Sequence, residues 1–319
     1  MPEEPRELSW PEIGEQFDNL LTAASNLLER SAPARLTSVD GAQLLALSHL
    51  RIAVNTYKTI RFIVAQKPYY QPRKPEYALA APVLSRSLVD GLCNLIFLFN
   101  DLEVNTSIYW KSAWRNAREE HDRCQKEYSG KPEWSEWLTD KEDLVERMKT
   151  EYGISPKEEA KLSLIPYWPI PGKMLNPPPP LRTIAKPLDA DRSGHISYLQ
   201  DWFYRILSSL SHMSGPGLMI HAAPLVVDDW EDLEAVLSKK ASDCYFTTIT
   251  LILSIVSELE AELKLGLAER ALCLWAIIAD YWGEAEELYS RRYKTLLEPA
   301  AFYEGESVKP SSSSEAGGE

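Results

Sequence analysis

Residues 166–187 read PYWPIPGKMLNPPPPLRTIAKP and hold eight prolines in 22 residues. Each proline lacks a backbone donor, and its ring bars α geometry from the residue before it. No helix and no interior strand can pass through such a stretch. Regular structure must be built on either side of it. The segment at about 165–190 is therefore expected to be an irregular crossover. Neither side alone shows an obviously complete core, so the crossover is read as lying inside one helical domain, residues 1–305, rather than between two.

On both sides the apolar residues recur at three and four, the period of an amphipathic helix. Ile13, Phe17, Leu20, Leu21, Ala24, Leu27 and Leu28 make the first such stripe, over about 12–31. Further helices are expected at about 38–66, with Ser38 as N-cap, and at 76–100, 103–129 and 133–152. The last two end at Gly130 and Gly153. Helical patterning resumes at about 194–213, 229–264 and 267–298. The helix at 76–100 is apolar nearly all round and is expected to be central. No alternating strand pattern stands out. The expected fold is an all-α multi-helix bundle, with a disordered low-complexity tail, SVKPSSSSEAGGE, taken as residues 306–319.

The chain has 319 residues, 45% of them hydrophobic, enough for a sizeable core. A formal net charge of −13 disfavours binding a polyanion over the whole surface. Cys93, Cys124, Cys244 and Cys273 stand far apart, three of them in apolar helical runs. They read as reduced thiols and point to a cytoplasmic address. The opening MPEEPRELSW has no apolar core and does not read as a signal peptide. The longest apolar runs, LVDGLCNLIFLF and FTTITLILSIV, read as buried helix segments too short to span a bilayer, so no membrane partner is expected.

Phosphate-binding, dinucleotide-binding, zincin and serine-hydrolase motifs are absent from the sequence. None of the five histidines follows a glutamate by three residues, as a ferritin-like metal site would want. No metal and no cofactor is expected. One constellation stands out in YRILSSLSH, residues 204–212. Tyr204, Ser208 and His212 are spaced by four, and Arg205 lies seven before His212. At 100° per residue these share nearly one face, with Arg205 and His212 about 10 Å apart along the axis. A phosphodiester would fit between them. His212 precedes the helix-breaking GPG, where the dipole favours an imidazolium. The structural alternative is a helix whose polar tips meet its neighbours. A second pair, Arg86 and Asp90, interrupts the most apolar helix one turn apart. It is either a mutual ion pair on an exposed strip or part of an interior polar pocket.

RSLVD at 86–90 and YRILSSLSH at 204–212 together resemble an uncharacterised bacterial all-helical family with an early Arg-x-x-x-Glu and a late Tyr-x-x-x-Ser-x-x-x-His. Arg86, Tyr204, Ser208 and His212 match, and Asp90 stands where that pattern has Glu. The resemblance covers roughly residues 40–265 and implies no settled activity. Arg205-x6-His212 more weakly resembles the helical HEPN ribonucleases. Their signature puts four to six residues between the two and a polar residue after the Arg, where this chain has Ile206. That resemblance implies a homodimer and metal-independent RNA cleavage. His212 would be the general acid or base and Arg205 the group that stabilises phosphate charge. Arg86, Asp90, Tyr204 and Ser208 would be binding residues.

Charge is uneven along the chain. Between Arg51 and Arg86 stand Arg51, Lys58, Arg61, Lys67, Arg73, Lys74 and Arg86 against the single acid Glu76. Tyr69, Tyr70 and Tyr77 are interleaved, which suits RNA or a nucleotide at 51–86. The same patch suits an acidic face of another subunit, or is simply a solvated face. Two functional classes follow. One is a ribonuclease-like or nucleotide-directed enzyme at Arg205 and His212. The other is a non-catalytic helical interaction or small-anion-binding protein whose Arg/Asp/Tyr/Ser/His network is structural.

Overall fold

The computed structural model describes residues 14–24 and 26, 41–64, 81–169, 188–211 and 230–298. Among these residues every regular element is helical, and the fold is an all-α multi-helix bundle. The helices are α1 (14–24), α2 (Gly41–Val64), α3 (Ala81–Leu98), α4 (Leu102–Tyr128), α5 (Ser135–Glu151), α6 (Pro156–Ala160), α7 (Ala190–Tyr198), α8 (Arg205–Ser211), α9 (Trp230–Leu263), α10 (Ala268–Tyr281) and α11 (Gly283–Leu288). Two π-helical turns, Leu199–Tyr204 and Tyr289–Tyr293, run on directly from α7 and α11. His212, Ser38, the tail 306–319, the loop 65–80 and every proline beyond Pro169 lie outside the described residues.

The chain divides into two compact units. The first takes in the described residues of Met1–Val39, Leu47–Leu92 and Leu207–Glu319, the second those of Asp40–Ala46 and Cys93–Ile206. In the first unit α9 carries the centre of the core. Every residue from 251 to 260 is buried, the polar ones included, so this stretch is enclosed on all sides. The sequence pointed instead to α3, which keeps Val83 and Ser87 exposed. Ser254 and Ser257 lose no hydrogen bond by burial, since their hydroxyls donate to the carbonyls of Thr250 and Leu253 at 2.8 and 2.7 Å. Trp275 donates its indole N–H to Ser257 Oγ at 3.0 Å, and its ring stacks on Tyr293 with centroids 4.9 Å apart. Phe17, Leu20, Leu50, Ile60, Leu88 and Leu92 complete the apolar lining.

The second unit is built on the helical hairpin of α4 and α5. Its core is Trp114, Val145, Ile154 and Ile165, with the Trp114 indole donating to the Val145 carbonyl at 3.1 Å. α5 ends where Gly153 takes φ +61, a backbone geometry glycine adopts at no steric cost. Ile154 N–H then returns to Lys149 O and Gly153 N–H to Thr150 O, closing the last turn and dropping Ile154 into the core. The chain beyond is strapped back onto α4. Arg115 donates to Ile165 O at 2.5 Å and lies 3.6 Å from the Tyr167 ring centroid. Trp168 donates its backbone N–H to Ser112 Oγ at 2.6 Å and its indole N–H to Asn94 at 2.9 Å. The crossover therefore begins as a docked strap over 165–169, and helix resumes at Ala190 rather than near 194.

The sequence also merges what the structure separates at the C-terminal end. Residues 267–298 read as one helix, yet Trp282 is extended, with φ −142 and ψ 113, and its ring packs edge-on against Phe246 at 4.8 Å. By length and composition, α3 and the Asp243–Leu263 part of α9 are long and apolar enough to cross a membrane, although the apolar runs within them are shorter than a bilayer requires. More than half of each is buried inside the protein's own core.

Candidate functional site

Residues 190–211 form one continuous helical rod, α7 through the π turn to α8. Asp189 starts it by accepting the Arg192 N–H at 2.7 Å. The π turn inserts an extra residue into the helical repeat, which resets which side chains face inward beyond it. Phe203 and Tyr204 are buried, whereas Trp202, Arg205 and Ile206 are exposed. Tyr204 and Arg205 thus share a stretch of helix but face different surroundings. Ser208 is half-buried. Arg205 donates to Asp201 Oδ1 at 3.0 Å, one turn back, with both side chains more than half exposed. His212, the expected partner of Arg205, lies outside the described residues.

Arg86 and Asp90 are both half-buried on α3 and belong to the first unit, whereas Tyr204 and Arg205 belong to the second. Burial pushes the Asp90 carboxyl above its usual range, and Arg86 one turn away pulls it partly back. Of the basic stretch 51–86, the structure describes Arg51, Lys58, Arg61 and Arg86. Arg51 and Lys58 are exposed, but Arg61 is committed to an ion pair with Asp18 on α1. The face available to a polyanion there is narrower than the spacing suggested.

Two polar clusters were not singled out in the sequence. The first joins three helices. Tyr57 donates to Asp18 Oδ1 at 3.3 Å and shares a 3.4 Å contact with the Tyr245 hydroxyl, and Arg61 holds the other Asp18 oxygen. Burial pushes both phenols up, Tyr57 well above its usual range, so both remain protonated hydroxyls at neutral pH. The second is the pair Arg292–Glu258, bonded at 2.6 and 2.9 Å through two nitrogens and two oxygens, with side chains only 4% and 3% exposed. The π turn Tyr289–Tyr293 carries Arg292 inward beside the fully buried Tyr293. A sign of it was present: Glu258 interrupts the run LILSIVSELE, and a buried carboxylate requires a partner. Nothing local pointed 34 residues downstream to Arg292.

A further polar set, Ser85, Cys244 and Thr248, is wholly buried, with the two hydroxyl oxygens 3.0 Å apart. Burial holds the Cys244 thiol above its usual range, the state of an inert structural cysteine. Among the described residues no three His, Cys, Asp or Glu side chains group as metal ligands.

The exposed surface of the 190–211 rod has a distinct character. Tyr198, Trp202 and Ile206 follow one another at intervals of four, and the Tyr198 and Trp202 rings lie 6.2 Å apart. Trp202 is 55% exposed and Ile206 51% exposed, which makes an apolar strip beside the Asp201–Arg205 pair. Compared with protein-family models, curated proteins and solved structures, the chain matches none.

Proposed function

We propose that this chain is a non-catalytic helical interaction protein that meets its partner through the Tyr198–Trp202–Ile206 strip. The observation that carries this reading is the exposure of a tryptophan and an isoleucine one turn apart on an ordered helix. Aromatic anchors ringed by polar groups are the usual centres of protein contacts. The polar side chains nearby are already engaged. Arg205 is held by Asp201, and Tyr204 is buried. On this reading Tyr204 and Arg205 serve to fix the helix rather than to perform chemistry. One observation favours the alternative, a metal-independent ribonuclease: the Arg205 guanidinium stands at the surface, where a phosphate could displace Asp201. That reading depends on RNA cleavage by the purified chain.

The test of the interaction reading is site-specific photo-crosslinking in the source cells. A photoreactive phenylalanine replaces Trp202 in one strain and the exposed Tyr281, on α10, in another. A discrete cross-linked protein species from position 202, absent from position 281, is expected. No cross-link from 202, or the same species from both positions, overturns the reading.

A further inference from the structure

We infer that the partner on this strip is a second copy of the same chain, docked antiparallel across a two-fold axis that passes between Trp202 and Ile206. This rests on the interaction reading above and names its partner.

The argument is one of self-complementarity. A two-fold interface must present a surface that fits itself when reversed. Along the rod, Asp201 precedes Arg205 by one turn, and Trp202 precedes Ile206 by one turn. Reversing the helix exchanges the members of each pair. Trp202 of one copy then covers Ile206 of the other at both ends of the axis. Asp201 of one copy then lies about 3 Å along the helix axis from Arg205 of the other, within reach of the long guanidinium side chain. Within a single chain the Asp201–Arg205 pair is solvent-exposed on both sides, and such pairs contribute little. Across a helix pair the same charges form a row along one flank of four apolar side chains, and they fix the direction and register of docking. Tyr198, half-buried against Trp202 and Phe203, holds the indole in place before docking. An anchor held in advance loses less freedom on binding.

The arrangement makes an unusual demand on charge variants. Asp201→Arg places Arg opposite Arg in a homodimer, and Arg205→Asp places Asp opposite Asp. Each should be monomeric alone. Mixed in equal amounts they should pair with each other, because every facing contact is then opposite in sign. The double variant Asp201→Arg/Arg205→Asp should dimerise like the wild type. Sedimentation equilibrium on the full chain reads these four samples together with the wild type and Trp202→Asp, circular dichroism confirming unchanged helix content in each. The wild type is expected at twice 36.2 kDa. Trp202→Asp is expected to raise the dimer dissociation constant by at least about 30-fold, the loss typical of an interface anchor.

A wild-type mass that stays monomeric at about 100 µM, where even contacts with Kd of about 10 µM are filled, overturns the inference. So does a mixture of the two charge variants that fails to associate. A position-202 cross-link to a different protein would leave the interaction reading standing and remove only the second copy. A cross-link between two copies supports both.

Discussion

Glu258 and Arg292 show how much one residue's surroundings decide. Both are almost fully withdrawn from water, and each satisfies the other through two parallel hydrogen bonds. Removing one partner strands a charge, whereas removing both leaves only a matter of shape. Arg292→Met should therefore destabilise the protein by about 3–5 kcal/mol. The double variant Glu258→Leu/Arg292→Met should recover most of that loss. Urea denaturation of the two variants beside the wild type checks this, and equal losses in single and double variants would contradict it. The same rule, that charge inside an apolar helix requires a partner, singled out Arg86 and Asp90 from the sequence. Applied to Glu258 it would have worked as well, but the partner lies beyond any helical spacing and behind a π turn that no residue pattern announces. Arg61 was misplaced for a related reason. Its spacing from Arg51 and Lys58 was visible, but its pairing with Asp18 depends on tertiary contact.

Elements were the most legible layer. The helix expected at 103–129 is Leu102–Tyr128, and that at 229–264 is Trp230–Leu263. Both carry long, unbroken periodicity with clear stops. α6 was missed because five residues are too few for a period to show. Its start was nonetheless written in the sequence as Ser155-Pro156-Lys157-Glu158, a reciprocal N-terminal cap. Burial pushes the Glu158 carboxyl up, but hydrogen bonds from Lys111 and from the backbone and hydroxyl of Ser155 outweigh it and bring it down to about 2. A folded-state value below the ordinary 4.5 means that Glu158 adds stability above that pH. The contribution disappears as pH falls from about 4.5 towards about 2. Glu158→Gln should cost about 1–2 kcal/mol at neutral pH, from a cap and a partly buried ion pair. It should also flatten the decline of the thermal midpoint between those two pH values. Parallel acid limbs for variant and wild type would assign the acid sensitivity elsewhere. The break at Trp282 was not legible, since no proline marks it and the cause is a ring packed on Phe246.

At the scale of the whole molecule, the all-helical fold was readable because periodicity survives averaging over 319 residues. The candidate site was not, because its face is set by a π turn and by which neighbours happen to cover it. A net charge of −13 opposes a polyanionic substrate. On the interaction reading, purified protein should leave mixed-sequence single-stranded RNA intact in EDTA. His212→Ala protein prepared in parallel should behave identically. Cleavage by the wild type and a loss of about 10²–10⁴ in rate for His212→Ala would instead establish a general acid or base there. The division into two units carries a different implication. Three of the four passages between them fall inside helices, within α2, within α3 and at the start of α8. A gene cut at those three boundaries would sever α2, α3 and α8. On this division neither unit is a set of whole helices, so exchanging one for a foreign counterpart would require joining chains in mid-helix rather than between elements.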